Sequence, residues 1–243
     1  ALQLSEFDDK PEILVGLTKC SSAVITFSAE YSLSTPDSGD LSILASDRVS
    51  FDIKGGRISL TVTENAGVQT VINTQGPVFV ASEEAGAFFT VQSCSNTSPA
   101  IGSDFRGNVV LIEDGGSLLL ANLIGIEEYL WSVVSCETYG SWPIEALKSQ
   151  AVASRTYALY KIFAPEGELP ISNRSMYRGR TLSSSDVRIW ATDQIYKGKS
   201  SETQGAIEAC TLTDGIVLTY MGELAAAFFH ADAAGMTESS RFV

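Results

Sequence analysis

The carboxyl group of Glu137 is the first candidate for chemistry in this 243-residue sequence. Glu137 follows an apolar stretch, Trp131 to Val134, and precedes a short break before a longer segment of helical character. A carboxyl at the junction of two buried elements is partly desolvated, and desolvation raises a carboxyl pKa and favours the protonated form. Such a group is a candidate general acid. From spacing alone, a solvated loop glutamate is the alternative.

His230 is the only histidine of the chain and ends an apolar run from Ala225 to Phe229. A histidine at a strand end is a candidate site residue, and a hydrogen-bonded structural histidine is the alternative. A hydrolase triad is not indicated, because the sequence contains no Gly-x-Ser-x-Gly elbow. A zinc site is not indicated either, because no Cys or carboxylate stands at ligand spacing from His230.

Further charged residues are open to two interpretations. Asp232 and Glu238 flank Gly235, and most glycosidases use a pair of carboxyl groups. The sequence does not place these two near Glu137. Arg155 is a candidate site residue, or it is the partner of a buried structural ion pair.

Strands are expected to dominate the first half of the chain. Alternation of period two, bounded by Gly and Ser, is clearest at residues 57–63, where Ile58, Leu60 and Val62 share one face. Residues 108–113 and 118–120 flank a Gly-Gly turn and predict a hairpin. Further strands are expected at residues 12–17, 23–31, 49–53, 68–71, 78–80 and 88–91.

The period changes to that of a helix near Ile124, and residues 126–134 are predicted to be helical. A second helix is predicted over residues 143–163, with a proline in its first turn, where the missing N–H costs nothing. Its many small side chains predict a central, buried helix. Lys148 and Arg155 are seven residues apart and therefore lie two turns apart along one stripe of it.

The last part of the chain is predicted to contain a long polar excursion, residues 170–203, with a strand near residues 187–190. A helix is expected at residues 203–211. Strands are expected at residues 215–220 and 224–230, with a turn at Met221 and Gly222. The predicted fold class is α+β. A β-rich region over residues 1–103 would continue into a core over residues 104–243, the two forming one continuous domain.

Composition excludes several classes of function. The net charge of −13 disfavours binding to nucleic acid, whose phosphates it would repel. No apolar run reaches 18 residues, so no membrane span is predicted. The chain begins at Ala1, which fits a removed targeting segment or a cloned piece. No Cys-x-x-Cys pair occurs, so two disulfides or four buried thiols remain open for the four cysteines, Cys20, Cys94, Cys136 and Cys210.

Two adjoining segments carry a resemblance to a known family. Residues 123–137 read LIGIEEYLWSVVSCE, and residues 141–159 read SWPIEALKSQAVASRTYAL. Together they resemble the signature of the SpoIID/LytB family, which comprises stage II sporulation protein D and the amidase enhancers. Residues 104–108, 215–220 and 227–238 resemble further parts of that family.

The resemblance implies a peptidoglycan lytic transglycosylase that cuts between N-acetylmuramic acid and N-acetylglucosamine in strands lacking stem peptides. It puts the catalytic acid at Glu137, which would act as acid and then as base while a 1,6-anhydro ring closes. Its motif positions put substrate contacts at Lys148, Gln150, Arg155, Tyr157 and His230. It also implies a location outside the cytoplasm in the bacterial envelope, a role in wall remodelling during division or sporulation, and an N-acetylmuramoyl-L-alanine amidase as a possible partner.

This chain departs from the family pattern at three places. The stretch after His230 reads Ala231-Asp-Ala-Ala-Gly235, where the family has serines and paired glycines. The Met-Pro that often follows the catalytic glutamate is Thr138-Tyr139. Residues 164–205 contain no Cys or His, so we predict no zinc and no cofactor. The first departure favours an alternative function, a non-catalytic wall-binding or amidase-stimulating protein of the same fold.

Overall fold

The computed structural model describes residues 11–96, 104–163 and 182–230, and in these the chain forms two large sheets, a short hairpin and three α-helices. Elements are numbered in chain order. The seven-stranded sheet contains β1 (Glu12–Cys20), β3 (Tyr31–Thr35), β4 (Ser38–Ile43), β8 (Val78–Ala81), β11 (Asn108–Asp114), β12 (Ser117–Gly125) and β13 (Ile189–Trp190). The six-stranded sheet contains β2 (Ser22–Phe27), β5 (Arg48–Lys54), β6 (Arg57–Thr63), β7 (Gln69–Thr74), β9 (Phe88–Cys94) and β10 (Asp104–Arg106). The hairpin pairs β14 (Thr219–Tyr220) with β15 (Glu223–Leu224), and the helices are α1 (Ile126–Glu137), α2 (Ile144–Phe163) and α3 (Gln204–Leu212).

Apolar side chains from both large sheets form one shared core. The alternation predicted for residues 57–63 is confirmed, because Ile58, Leu60 and Val62 of β6 are all buried. They pack in the same cluster as residues of the other sheet, such as Leu111 of β11. Burying each such side chain stabilises the fold by about 1.5–3 kcal/mol. The mixed, strand-rich architecture confirms the predicted α+β class.

Strand β12 is the element that leads into the predicted catalytic region. Its residues from Leu118 to Ile124 are all buried, because the two faces of the strand pack into two different apolar clusters. Asn122 lies on this strand and is fully buried, and its amide donates hydrogen bonds to the carbonyls of Arg106 and Asn108. Gly125 ends β12 and is the N-cap of α1, so the sheet fixes where α1 begins.

The helices pack mainly on one another. Helix α2 contacts α1 and α3, and it also contacts β13 and β15. The predicted burial of α2 is therefore confirmed for the face that carries Leu147, Ala151, Ala158 and Leu159, with the neighbouring helices as its main partners. None of the helices in the described ranges is long and apolar enough to cross a membrane.

The predicted strands near the C-terminal end are much shorter than expected. Only Thr219–Tyr220 and Glu223–Leu224 pair, around the predicted turn at Met221 and Gly222, both of which have positive φ. The N–H of Leu218 bonds instead to the Thr156 hydroxyl on α2, at 2.9 Å. The predicted helix at residues 203–211 is confirmed as α3, whose N-cap Thr203 accepts from the Ala206 N–H.

The strands of residues 104–125 lie in the same sheets as the N-terminal strands. β12 pairs with β1, and β11 pairs with β8, in the seven-stranded sheet. β10 pairs with β9 in the six-stranded sheet. A domain boundary at residue 103 would therefore divide both sheets, because each sheet contains strands from before and after that residue.

Candidate active site

Glu137 is the last residue of α1, so the helix continues three residues beyond the predicted end at Val134. The helix stops because Thr138 is extended, while both its N–H and its hydroxyl bond back to the Val134 carbonyl. The Glu137 side chain is half-buried, and its Oε1 accepts a hydrogen bond from the Ile195 N–H at 2.7 Å. No other described residue donates to Glu137, so Oε2 is left available.

The segment of residues 193–197, which contains Ile195, packs along one side of α1. Gln194 accepts from the Tyr129 hydroxyl at 3.1 Å, and the Lys197 N–H donates to the Ser132 hydroxyl at 3.0 Å. Together with the bond to Glu137, these contacts use three positions of α1. The Ile195 N–H is therefore aimed at Glu137 by a segment that is bonded on both sides of it.

Asp193 ties the same segment to α2 and β13. Its Oδ2 accepts from the Trp190 N–H at 2.7 Å, and its Oδ1 accepts from Lys161 Nζ at 2.7 Å. Both carboxylate oxygens are thus engaged within the protein. Gln194 adds a bond from its amide to the Ser154 carbonyl of α2, at 3.3 Å.

Two buried tyrosines, Tyr129 of α1 and Tyr196 of the segment itself, form hydrogen bonds that hold the segment in place. Burial raises the pKa of Tyr129 well above its usual range, and nearby groups that include Tyr157 and Glu137 raise it further. Tyr129 therefore stays protonated and donates to Gln194. Tyr196 is also fully buried with a strongly raised pKa, and its hydroxyl donates to Asn122 at 2.6 Å. These bonds connect the segment to β12.

Tyr157 is a predicted substrate contact on α2, and it and Glu137 both contribute to the raised pKa of Tyr129. Tyr157 is half-buried and packs edge-on against Phe228 and Phe229, with ring centroids 5.6 and 6.2 Å away. Burial raises the Tyr157 pKa, although its hydrogen bond with Lys161 opposes that effect. Lys161 therefore bridges Tyr157 and Asp193.

Two further predicted contacts on α2, Lys148 and Gln150, have partners within their own helix. Lys148 Nζ is bonded to both carboxylate oxygens of Glu145, at 3.0 and 3.1 Å. Gln150 donates to the Ser154 hydroxyl at 3.0 Å. Both side chains are only half-buried and remain open to a ligand. His230 is exposed and is the last residue described before residues 231–243, so Asp232, Glu238 and the altered motif lie outside the described residues.

Arg155 does not line a cleft in this structure, and this corrects its predicted role as a substrate contact. Its side chain is fully buried, and its Nε and Nη2 form a bidentate pair with Glu127 at 2.7 and 2.6 Å. Its remaining bonds go to the carbonyls of Ile216 and Cys210. The alternative that the sequence left open, a buried structural ion pair, is therefore the observed arrangement.

Two exposed aromatic side chains near Glu137 were not singled out from the sequence. Tyr139 is 72% exposed and Trp142 is 47% exposed, and both lie in the connection between α1 and α2. Asp193, Gln194 and Ile195 were missed as well, because they lie within a polar excursion without a recognisable period. The replacement of the family's Met-Pro by Thr138-Tyr139 was the one sequence feature that could have drawn attention to Tyr139.

A second acidic region lies near the start of α1. Glu12, Glu83, Glu84 and Glu128 line a concave surface at the end of β12. Burial raises the pKa of Glu128. Glu128 and Glu137 are nine residues apart and therefore lie on opposite faces of the helix. Across the described ranges, no group of three or more His, Cys, Asp or Glu side chains is placed to bind a metal ion.

Comparison with known proteins relates the chain to one family. Residues 114–220 match the family model described as SpoIID, stage II sporulation protein. Those residues belong to the SpoIID family. The SpoIID match contains Glu137, Lys148, Gln150, Arg155 and Tyr157 and ends before His230.

Two curated relatives extend the SpoIID comparison. An uncharacterized protein of Brachyspira hyodysenteriae is 31% identical over 144 residues, which are 58% of this chain and 35% of that protein. Stage II sporulation protein D of Bacillus subtilis is 29% identical over 123 residues, which are 48% of this chain and 34% of that protein. The matches thus span about a third of the length of these relatives. No solved structure matches the chain. The matched part of the chain is thus similar to SpoIID, a stage II sporulation protein.

Proposed function

We propose that this protein is a peptidoglycan lytic transglycosylase and that Glu137 is its single catalytic carboxyl. The observation that carries the proposal is the setting of Glu137. One oxygen is oriented by the Ile195 N–H at 2.7 Å, and no described residue donates to the other. The residue ends a helix within the SpoIID match, where its side chain is still open to solvent.

The proposed reaction uses one carboxyl twice. Protonated Glu137 donates its proton to the glycosidic oxygen between N-acetylmuramic acid and N-acetylglucosamine, and the bond to the muramic anomeric carbon breaks. The resulting carboxylate takes the proton of the muramic 6-hydroxyl, whose oxygen attacks the anomeric carbon. A 1,6-anhydro ring closes, the glutamate is protonated again, and no water is consumed.

The engagement of Asp193 supports the one-carboxyl scheme. Most glycosidases need a second carboxylate that acts as nucleophile or activates water. Asp193 lies only two residues from Ile195, yet both its oxygens are used by Lys161 and the Trp190 N–H. A ring-closing route needs no second carboxylate, since the muramic 6-hydroxyl is the nucleophile and the Glu137 carboxylate takes its proton.

The proposed substrate is glycan that an amidase has stripped of its stem peptides. A chain with a net charge of −13 repels strands that keep acidic peptides, and denuded strands carry less negative charge. An N-acetylmuramoyl-L-alanine amidase would produce such strands, and it is the proposed partner. The reaction would take place outside the cytoplasm, where the wall lies.

A non-catalytic wall-binding protein is the second candidate. It is favoured by the sequence after His230, which has alanines where the family has serines. The two candidates are separated by incubating the protein with purified denuded glycan and analysing soluble products by mass spectrometry. Products ending in 1,6-anhydro-muramic acid support the enzyme. Binding to the glycan without any such product would overturn the enzyme and support the binding protein.

Asp193→Ala is expected to slow the reaction without weakening substrate binding. The variant loses the bonds to Lys161 and to the Trp190 N–H, so the Ile195 N–H is no longer fixed against Glu137. We expect kcat to fall by about tenfold to a hundredfold, since small misplacements of a catalytic group cost that much. KM should change by less than about twofold, because Asp193 acts through Glu137 and not on the substrate.

Steady-state rates on soluble denuded glycan, compared with those of Asp40→Ala, test this expectation. Asp40 is an exposed aspartate on β4 and should be without effect. An unchanged kcat in a folded Asp193→Ala protein would remove Asp193 from the positioning of Glu137.

A further inference from the structure

Tyr139 and Trp142 form a pair of exposed rings close to Glu137. Their centroids are 5.8 Å apart and their planes are inclined by 54°. The Trp142 N–H donates to the Tyr139 carbonyl at 2.9 Å, so the two residues begin and end one tight turn. Tyr139 follows Glu137 by two residues, so their Cα atoms are at most about 7 Å apart.

The turn is fixed against the rest of the molecule. Gly140 lies so close to Thr203 that an added Cβ would meet the threonine side chain at 3.3 Å. Thr203 is the N-cap of α3 and is bonded to the Ser135 hydroxyl by its own N–H, at 2.9 Å, and through its hydroxyl. Ser135 lies on α1, two residues before Glu137. The rings are therefore presented at a set place relative to the Glu137 carboxyl.

We propose that Tyr139 and Trp142 form a stacking subsite for a sugar ring of the glycan, next to the bond that is cut. This inference rests on the proposed function and names a part of its substrate site. The carbon–hydrogen face of a pyranose packs on an aromatic ring, while the Tyr hydroxyl and the Trp N–H offer polar contacts at the rim. Neither ring carries a charge, so the subsite recognises a neutral hexose unit.

Trp142→Ala tests the subsite. We expect the KM for soluble denuded glycan oligomers, and their dissociation constant with the inactive Glu137→Gln background, to rise by about tenfold. The kcat should stay within about threefold, because stacking holds substrate and transition state alike. Trp142→Phe keeps a ring and should restore most of the affinity. Val71→Ala removes another exposed apolar side chain, on strand β7 of the six-stranded sheet, and is the control.

The outcomes separate the subsite from the reaction. An unchanged KM and dissociation constant in folded Trp142→Ala protein would overturn the subsite, even if anhydro products form. Loss of glycan binding in Trp142→Ala, with no anhydro product from the parent protein, would support the subsite and overturn the transglycosylase.

A different observation concerns Cys20 and Cys94, each of which is followed by a serine, and the two serines are hydrogen-bonded to each other. Cys20 ends β1 in the seven-stranded sheet, and Cys94 ends β9 in the six-stranded sheet. Cys20 is 2% exposed, and Cys94 packs against the same core. Both cysteines thus belong to the core and lie at the ends of two strands from different sheets.

The backbone on either side of the two cysteines is already joined. Ser95 Oγ accepts from the N–H groups of Ser21 and Ser22, at 2.8 and 3.2 Å, and the Ser95 N–H donates to the Ser22 carbonyl at 3.0 Å. Cys94 is also the register partner of Ala23. The main chain therefore already holds the two cysteines near each other, as a disulfide requires.

We infer that Cys20 and Cys94 form a disulfide in the folded protein that links the two sheets. The two thiols give up two protons and two electrons to a disulfide oxidant, either glutathione disulfide or a thiol oxidoreductase, which is reduced to two thiols. The hydrogen bond from Cys20 lowers the pKa of Cys94 to about 7, so Cys94 supplies the attacking thiolate. Burial raises the pKa of Cys210 to about 12 and keeps that thiol out of exchange.

Alkylation of the protein after purification in a glutathione redox buffer tests the disulfide. In denaturant without reductant, two cysteines should be alkylated, and a non-reducing digest should contain one peptide pair that joins Cys20 to Cys94. Reduction should lower the melting temperature by about 10 °C, and it should have no such effect in Cys20→Ser protein. Alkylation of all four cysteines, or a link that uses Cys136 or Cys210, would overturn the inference.

Discussion

Glu137→Gln should lower kcat on denuded glycan by about a thousandfold, the middle of the range for losing a general acid or base. The amide cannot donate a proton to the glycosidic oxygen, and it cannot accept one from the muramic hydroxyl. Its carbonyl oxygen can still accept from the Ile195 N–H, so the fold and the glycan affinity should be preserved. The measurement is the rate of release of anhydro-ended products by parent and variant, with glycan binding followed in parallel.

Glu208→Gln provides the matched control, since Glu208 is an exposed glutamate on α3. Its rate should equal that of the parent protein. A Glu137→Gln protein that keeps more than about a tenth of the parent rate would show that another group supplies the proton, because loss of the acid costs at least about a hundredfold.

Arg155→Met should have the largest effect on stability, a loss of about 3–5 kcal/mol in the free energy of unfolding. The variant leaves the Glu127 carboxylate, which is 12% exposed, without its bidentate partner. It also removes the donors of the Ile216 and Cys210 carbonyls, which connect α2 to α3 and to the segment after it. Urea unfolding followed by circular dichroism measures the change.

Two further variants show whether the pair is the cause. Glu127→Leu combined with Arg155→Met should recover much of the loss, because an apolar pair of similar volume replaces a buried ion pair at little cost. Arg57→Ala removes an exposed arginine whose nearest carboxylate is 3.9 Å away and should change stability by less than about 1 kcal/mol. A loss below about 1 kcal/mol in Arg155→Met would contradict the structural role of the pair, because it would equal that of an exposed pair.

Local patterns were sufficient to predict several elements. The alternation of residues 57–63 coincides with β6, and the apolar runs around the Gly-Gly turn became β11 and β12. Helix α2 was also predicted, and so was most of α1, whose predicted end at Val134 falls three residues short of Glu137. In each of these, the side chains that define the period are the ones that the core buries, so the sequence pattern and the tertiary structure agree.

Other elements depend on contacts that are distant in the sequence. Strand β4, Ser38–Ile43, was missed because its outward side chains are polar and it contains a glycine. Residues 215–218 were predicted to be a strand, yet they pack on α2, where the Thr156 hydroxyl takes the bond that a strand partner would supply. No local pattern reveals such a partner.

The candidate site was predicted only in part for the same reason. Glu137 could be named from its position and from the family motif, whereas its hydrogen-bond donor, Ile195, lies 58 residues further on. Arg155 looked like a ligand-binding cation because its partner Glu127 is 28 residues away, on another helix. The family match covers both Glu137 and Arg155. Only the packing of α1 against α2 distinguishes the roles of these two residues.

The central claim is that one carboxyl closes a ring and that water takes no part. The most direct test is to run the reaction in water that carries a heavy oxygen isotope and to measure the mass of the muramic ends by mass spectrometry. The account predicts anhydro ends that are one water lighter than a hydrolysed end and contain no heavy oxygen. Reducing muramic ends that carry the isotope would contradict it, because they would show that water, and not the muramic 6-hydroxyl, attacks the anomeric carbon.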